Sequence, residues 1–123
     1  MEKYNKTIGK AGEATAIKYL KKNKYRILEE NYSTKLGEID IIAQKDDYIV
    51  FIEVKTRSSD DYGGGAAAVT YTKQQHIIKS AQFYLLCSKN DCSARFDVIV
   101  IDGHMKKNKF ICDGLNHIEN AFF

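Results

Sequence analysis

From Gly37 to Arg57 the chain reads GEIDIIAQKDDYIVFIEVKTR: two short apolar runs, 39–43 and 48–54, flank a polar linker. Each run is interrupted by an acid where a buried strand ordinarily carries none. Successive side chains of a strand point to opposite faces, so Glu38 and Asp40 are predicted on one face and Ile39, Ile41 and Ala43 on the other. In the second run Glu53 and Lys55 share a face with Ile49 and Phe51, opposite Val50, Ile52 and Val54. The linker suits an antiparallel hairpin. A two-residue turn at Asp46-Asp47 sets Lys45 opposite Tyr48 and Asp40 opposite Glu53; a four-residue loop also keeps the acids on one face, and a one-residue slip separates them.

Around this hairpin the pattern turns helical. Thr7 to about Asn23 places Gly9, Glu13, Ala16, Ile17 and Leu20 on one side, so Glu13 lies on the apolar face beside small residues that permit close approach. Such an acid requires a cation, a metal or a proton, a salt bridge at the core's edge being the structural alternative. Residues 25–32 alternate as a first strand. Thr72 to about Ser88 reads as a second helix, with Thr72 and Gln75 as a capping box and Ile77, Ile78, Ala81, Tyr84 and Leu85 as its buried stripe. The string RFDVIVID, 95–102, has the continuous apolar centre of a strand covered on both faces, expected to run parallel to the strand before the helix. Asp97, at its entrance, is expected to pair with Arg95 or a nearby lysine. Residues 109–113 are a candidate edge strand, and Ile118 and Phe122 are expected to pack on the core. The 57–71 connection, rich in glycine and alanine, is longer than most and reads as a lid, a binding loop or disorder.

The length of 123 residues suits one domain, 1–123, with one core. There is neither an apolar run long enough to span a bilayer nor a basic-then-apolar leader, which makes a cytoplasmic protein without a membrane partner the expectation. Cys87, Cys92 and Cys112 are odd in number and form no CxxC pair, so free thiols are predicted. The net charge of +3 is uneven: residues 1–35 hold nine basic and four acidic side chains, a balance of +5, and the remainder carries −2. A basic third, with Lys18, Lys21, Lys22 and Lys24 near the first helix's end, beside an acidic pocket suits a phosphate backbone; the alternative is a solvated helix face.

The hairpin carries the chemistry. Directly opposed residues have β-carbons about 4.5–5.5 Å apart, where like charges repel. A divalent cation held by Asp40 and Glu53 relieves that repulsion, and Lys55 adds a positive charge on the same face. Ligation by oxygen alone suits Mg2+ or Mn2+. The reaction that follows is metal-assisted hydrolysis of a phosphodiester, with Lys55 orienting the attacking water or stabilising the pentavalent transition state. A surface salt-bridge ladder of Asp40, Glu53 and Lys55 is the structural alternative. Arg57, just beyond, is either a phosphate contact or a surface arginine beside the loop.

An acid on one strand followed by Glu-x-Lys on the next resembles the PD-(D/E)XK nuclease superfamily. The longer string GEIDIIA...FIEVKTR, with IGKAGEATAIKYL, ARFDVIVID and HIENAFF, is similar to the YraN-like family, small bacterial proteins related by fold to archaeal Holliday junction resolvases. This resemblance covers nearly the whole chain. It implies an α/β fold with a restriction-endonuclease-like αβββαβ core, a mixed sheet flanked by helices, and catalytic residues Asp40, Glu53 and Lys55. It further implies that Glu13 and the Val54 carbonyl complete the metal site and that Lys73 and Gln74, matching the family's Lys-Gln, touch substrate, a solvent lysine and a capping glutamine being the structural alternative. Asn31 and Tyr32 match an Asn-Tyr of the family to which no role is given. The implied activity is metal-dependent endonuclease action on DNA, branched or single-stranded, by a symmetric homodimer. The alternative is a nucleic-acid-binding module on a nuclease scaffold with weak or no catalysis.

Overall fold

A computed structural model describes residues 2–58, 69–88 and 91–123, with side chains from Thr7 onward. In chain order it contains α1 (Glu2–Lys22), β1 (Arg26–Thr34), β2 (Gly37–Lys45), β3 (Tyr48–Ser58), α2 (Tyr71–Ser88), β4 (Ser93–Lys106) and β5 (Lys109–Ile118). The five strands form one mixed sheet in the order β1-β2-β3-β4-β5. Neighbours are antiparallel except β3 and β4, which are parallel, as expected for strands joined through a helix. This is the single α/β domain that the pattern predicts, consistent with a restriction-endonuclease-like core. The β5 edge strand runs well past the expected 113. Lys107 and Asn108, both at positive φ, close a two-residue turn, and pairing continues out to Val98↔Ile118.

The sheet separates two apolar clusters. Leu20 and Ala16 of α1 pack on Ile41, Val50, Ile52 and Ile99, while Ile77, Ile78 and Ala81 of α2 pack on Ile42, Phe51 and Phe96. α1 ends in a Schellman arrangement with Lys24 in the left-handed position (φ 68°). The Tyr25 N–H donates to the Leu20 carbonyl (2.9 Å) and the Lys24 N–H to that of Lys21 (3.0 Å). Tyr25 thus turns back into the α1 cluster and starts β1 beneath the helix.

Four local expectations are corrected. Ile39 does not share a face with Ile41 and Ala43: it packs with the α2 cluster and they with the α1 cluster. The alternation breaks at Asp40, beside Asn31 of β1, whose left-handed φ of 53° adds local twist. The close approach of α1 is made at Gly12 and not Gly9. A β-carbon on Gly12 would overlap Thr56 Oγ1 and stand 2.8 Å from Thr56 Cβ, whereas Gly9 has open space. α2 begins one residue before Thr72, so the cap is Thr70, whose Oγ1 accepts the Lys73 N–H at 3.2 Å. Ile118 remains 37% exposed at the end of β5, while Phe122 does pack on Phe96, ring centroids 5.4 Å apart.

The Asp97 expectation holds more strongly than stated. Asp97 is fully buried and accepts hydrogen bonds from Arg95 Nε (3.0 Å) and Nη2 (2.8 Å), His117 Nε2 (2.7 Å) and the Asn120 N–H (3.0 Å). Burial alone would raise its pKa, but these donors hold it below the usual carboxylate value. None of the three cysteines forms a disulfide. Among the described residues no helix is long and apolar enough to cross a membrane. Residues 59–68, and with them most of the glycine-rich connection, lie outside the described residues.

Candidate active site

The hairpin adopts the register of the two-residue turn, Lys45↔Tyr48 through Ile41↔Ile52, and the ladder stops one pair short of Asp40 and Glu53. Beyond that point the two strands have no backbone pairing, and side chains take over. The Val54 N–H, which would otherwise lack a partner, donates to Asp40 Oδ2 at 2.8 Å. An extended residue aims its N–H and C=O at the same neighbouring strand, so the Val54 carbonyl faces the same gap. Glu53 is only 4% exposed, and the Lys73 ammonium of α2 stands 2.5 Å from its Oε1. Glu53 Oε2 is buried with no hydrogen-bond partner among the described residues. These groups line a cleft of about 430 Å³ together with Glu13, Lys55 and Thr56.

The cleft holds more negative than positive charge. Asp40 is pushed up to about 7, first by burial, then by the Glu53 carboxylate and more weakly by Glu13; the Val54 N–H and Lys73 oppose this. Glu13 is raised too, by burial and then by Glu38, Glu53 and Glu30. For Lys73 burial favours the neutral amine, but the hydrogen bond and charge of Glu53, followed by Asp40 and Glu38, raise its pKa overall. The Lys73 ammonium therefore leaves part of the repulsion among the three carboxyls in place.

The fold brings Asp40, Glu53, Val54, Lys55, Glu13 and Lys73 to one cleft. A surface ladder of Asp40, Glu53 and Lys55 does not form, because Glu53 is buried and its cation is Lys73 of α2. Nor do the carboxyls close around a point: among the described residues no three His, Cys, Asp or Glu side chains stand close enough to hold one ion. Arg57 is turned to β4, donating to both carboxylate oxygens of Asp102 at 2.6 and 2.9 Å. Gln74 donates to the Val69 carbonyl at 2.9 Å and does not line the cleft. His76 is exposed. Lys21 and Lys24 border a separate hollow at the Arg26 end of β1, where Lys21 stands about 12 Å along α1 from Glu13 at 1.5 Å per residue.

Sequence reasoning gave Asn31 no role, yet it touches the site. With its amide nitrogen facing the two acids, it donates to Glu13 Oε1 at 3.0 Å and Glu38 Oε1 at 3.1 Å, fixing the helix acid against β2. The sequence signal was the Asn-Tyr at this point, which carries no chemistry until α1 is docked.

The donor set fits a hard, hydrated divalent ion. Mg2+ keeps several waters and is commonly held by one or two carboxylates, so Asp40, Glu53 and the Val54 carbonyl are the groups that could hold it, and Glu13 lines the same cleft. The buried, unsatisfied Glu53 Oε2 is the observation that favours this fit: such an acceptor is costly without a partner.

A family model described as uncharacterised protein family UPF0102 matches residues 12–101. A UPF0102 protein of Alkaliphilus oremlandii is 51% identical over 121 residues, covering 96% of this chain and 99% of the relative. Others from Caldanaerobacter subterraneus subsp. tengcongensis (45% identical; 99% and 100% covered) and Legionella pneumophila (43%; 93% and 92%) match over nearly their whole length.

Proposed function

We propose that this chain, which belongs to the UPF0102 or YraN family, is a metal-dependent endonuclease that hydrolyses phosphodiester bonds in DNA, branched or single-stranded. The observation that carries the reading is the buried Glu53 carboxylate beside Asp40 at the point where β2 leaves β3, one of its oxygens having no hydrogen-bond partner among the described residues. In this reading Asp40, Glu53 and the Val54 carbonyl hold Mg2+ or Mn2+, with Glu13 through water. The bound ion supplies Lewis acidity at the phosphate and lowers the pKa of a water.

The chain's own groups do the remainder. Lys55, on the floor of the cleft, orients the attacking water and stabilises charge on the pentavalent phosphate. The Val54 N–H keeps Asp40 turned into the gap. Thr56 receives Gly12 and so docks α1, which brings Glu13 to the cleft wall. Arg57 and Gln74 are engaged by Asp102 and Val69, so phosphate contacts fall to Lys55 and Lys73. A homodimer presenting two clefts to one junction, in the cytoplasm, belongs to the same reading.

The test is cleavage of branched and single-stranded DNA by the purified chain in Mg2+ or Mn2+. Asp40→Asn and Lys55→Ala are each expected to lower cleavage by about 10²-fold or more while DNA binding is retained. Cleavage that survives both substitutions overturns the assignment. Salt-sensitive binding that no metal converts to product leaves a nucleic-acid-binding module in its place.

A further inference from the structure

The cation on Glu53 comes from an unexpected direction. Strand geometry offers Lys55 on the same face, but the ammonium in contact is that of Lys73, from the first turn of α2. The two ends of this ion pair differ sharply in environment: the lysine side chain is 48% exposed and the carboxylate 4%. We infer that Lys73 is a resident counter-ion which a divalent metal displaces from Glu53, and which then serves as a phosphate contact at the mouth of the cleft. The inference rests on the metal-dependent reading above.

Three observations carry it. Lys73 occupies Glu53 Oε1, leaving Oε2 buried without a partner among the described residues, so the carboxylate is neutralised on one side only. A single ammonium cannot balance Asp40 and Glu53 together, whereas a divalent ion can. Metal binding at this pair therefore competes with Lys73 for the charge of one carboxylate. The exchange also needs no backbone movement. The Lys73 N–H is fixed on Thr70 Oγ1 and the helix is anchored by Ile77 and Ile78, so only the flexible, half-exposed side chain swings. Once released, the ammonium remains beside the cleft it lines, near Glu38 and open to solvent and substrate. The two lysines then have distinct duties: Lys55 lies on the sheet, and Lys73 moves between the acid and the phosphate.

The experiment is a calorimetric titration of Mn2+ into the full chain without DNA, for the parent, Lys73→Gln and Lys55→Gln. The glutamine at 73 retains a neutral donor for Glu53, and the glutamine at 55 removes an equal charge from the same cleft without touching that contact. Lys73→Gln is expected to bind Mn2+ roughly tenfold more tightly than the parent, and Lys55→Gln to change affinity clearly less, because contact competition exceeds through-space repulsion in solvent. Equal effects of the two substitutions, or no gain at 73, overturn the inference and leave the metal site standing. Absence of Mn2+ binding in all three removes both. If Lys73→Gln does not fold, the side-chain ammonium spectrum of the parent decides. A Lys73 signal that shifts in step with Mg2+ binding supports displacement, and one still coupled to Glu53 at saturating Mg2+ overturns it.

Discussion

Two acids of one sheet, Asp97 fully buried and Asp40 half-buried, are treated oppositely by the fold. Asp97 has Arg95, His117 and the Asn120 N–H around both of its oxygens, and its pKa is lowered. Asp40 has one backbone N–H and a second carboxylate beside it, and its pKa is raised to about 7. Burial disfavours the charge in both places, so the donors decide the outcome. Asp97 ties β4 to β5 and to the tail beyond, and through the Tyr19 hydroxyl, 2.9 Å from His117 Nδ1, to α1. It is an acid used to hold the fold together. Asp40 and Glu53 are acids held in place by the fold and left with unsatisfied capacity, the condition under which a ligand gains affinity.

The contrast is broken most directly by substitution. Asp97→Ala leaves Arg95 without its buried partner and is expected to cost about 3–5 kcal/mol of unfolding free energy in a urea titration. Asp40→Asn, which removes a repelled charge, is expected to leave the metal-free chain equally or more stable. Comparable losses at the two sites would remove the distinction.

Titration sharpens it. Folded Asp40 binds its proton more tightly than the unfolded chain does, so its contribution falls as pH rises from the unfolded value near 3.8 to about 7. At about 1.4 kcal/mol per pKa unit, the advantage of Asp40→Asn over the parent should grow by about 2–4 kcal/mol across that window, measured without metal. Asp97 has the opposite sign. Its stabilisation is present above its unfolded value and is lost as pH falls through its lowered folded value.

A smaller effect comes from the metal. Mn2+ at about 100 times its dissociation constant should stabilise the parent by about 2.7 kcal/mol, several degrees in melting temperature, and Asp40→Asn should lose most of that shift. An Asp97 variant that still folds should keep it. The smallest expected change is Gly12→Ala, where the new β-carbon meets Thr56 and displaces α1 at a cost of about 1–3 kcal/mol. Because α1 carries Glu13, this variant should also weaken Mn2+ binding. A stability loss with unchanged Mn2+ affinity would exclude Glu13 from the site.

Much of this was legible in the sequence because it depends on periods of two and of 3.6 and on turn length. The two-residue Asp46-Asp47 turn sets the hairpin register, which ends one pair short of Asp40 and Glu53, and the apolar run of β4 announces a covered strand beside β3. Local pattern also put Glu13 on the inner side of its helix. What pattern could not supply was partnership across the fold. Whether Glu53 met Lys55 or Lys73 depended on where the first turn of α2 came to rest above the sheet, 20 residues later in the chain. That Asp97 would be filled by His117, and that Gly12 and not Gly9 would touch β3, depended likewise on how separate elements docked. Sequence alone set the acids on their strands. Only the packed structure decided which acquired donors enough to be silent and which kept an oxygen without one, because hydrogen-bond satisfaction is a property of the assembled neighbourhood and not of the residue.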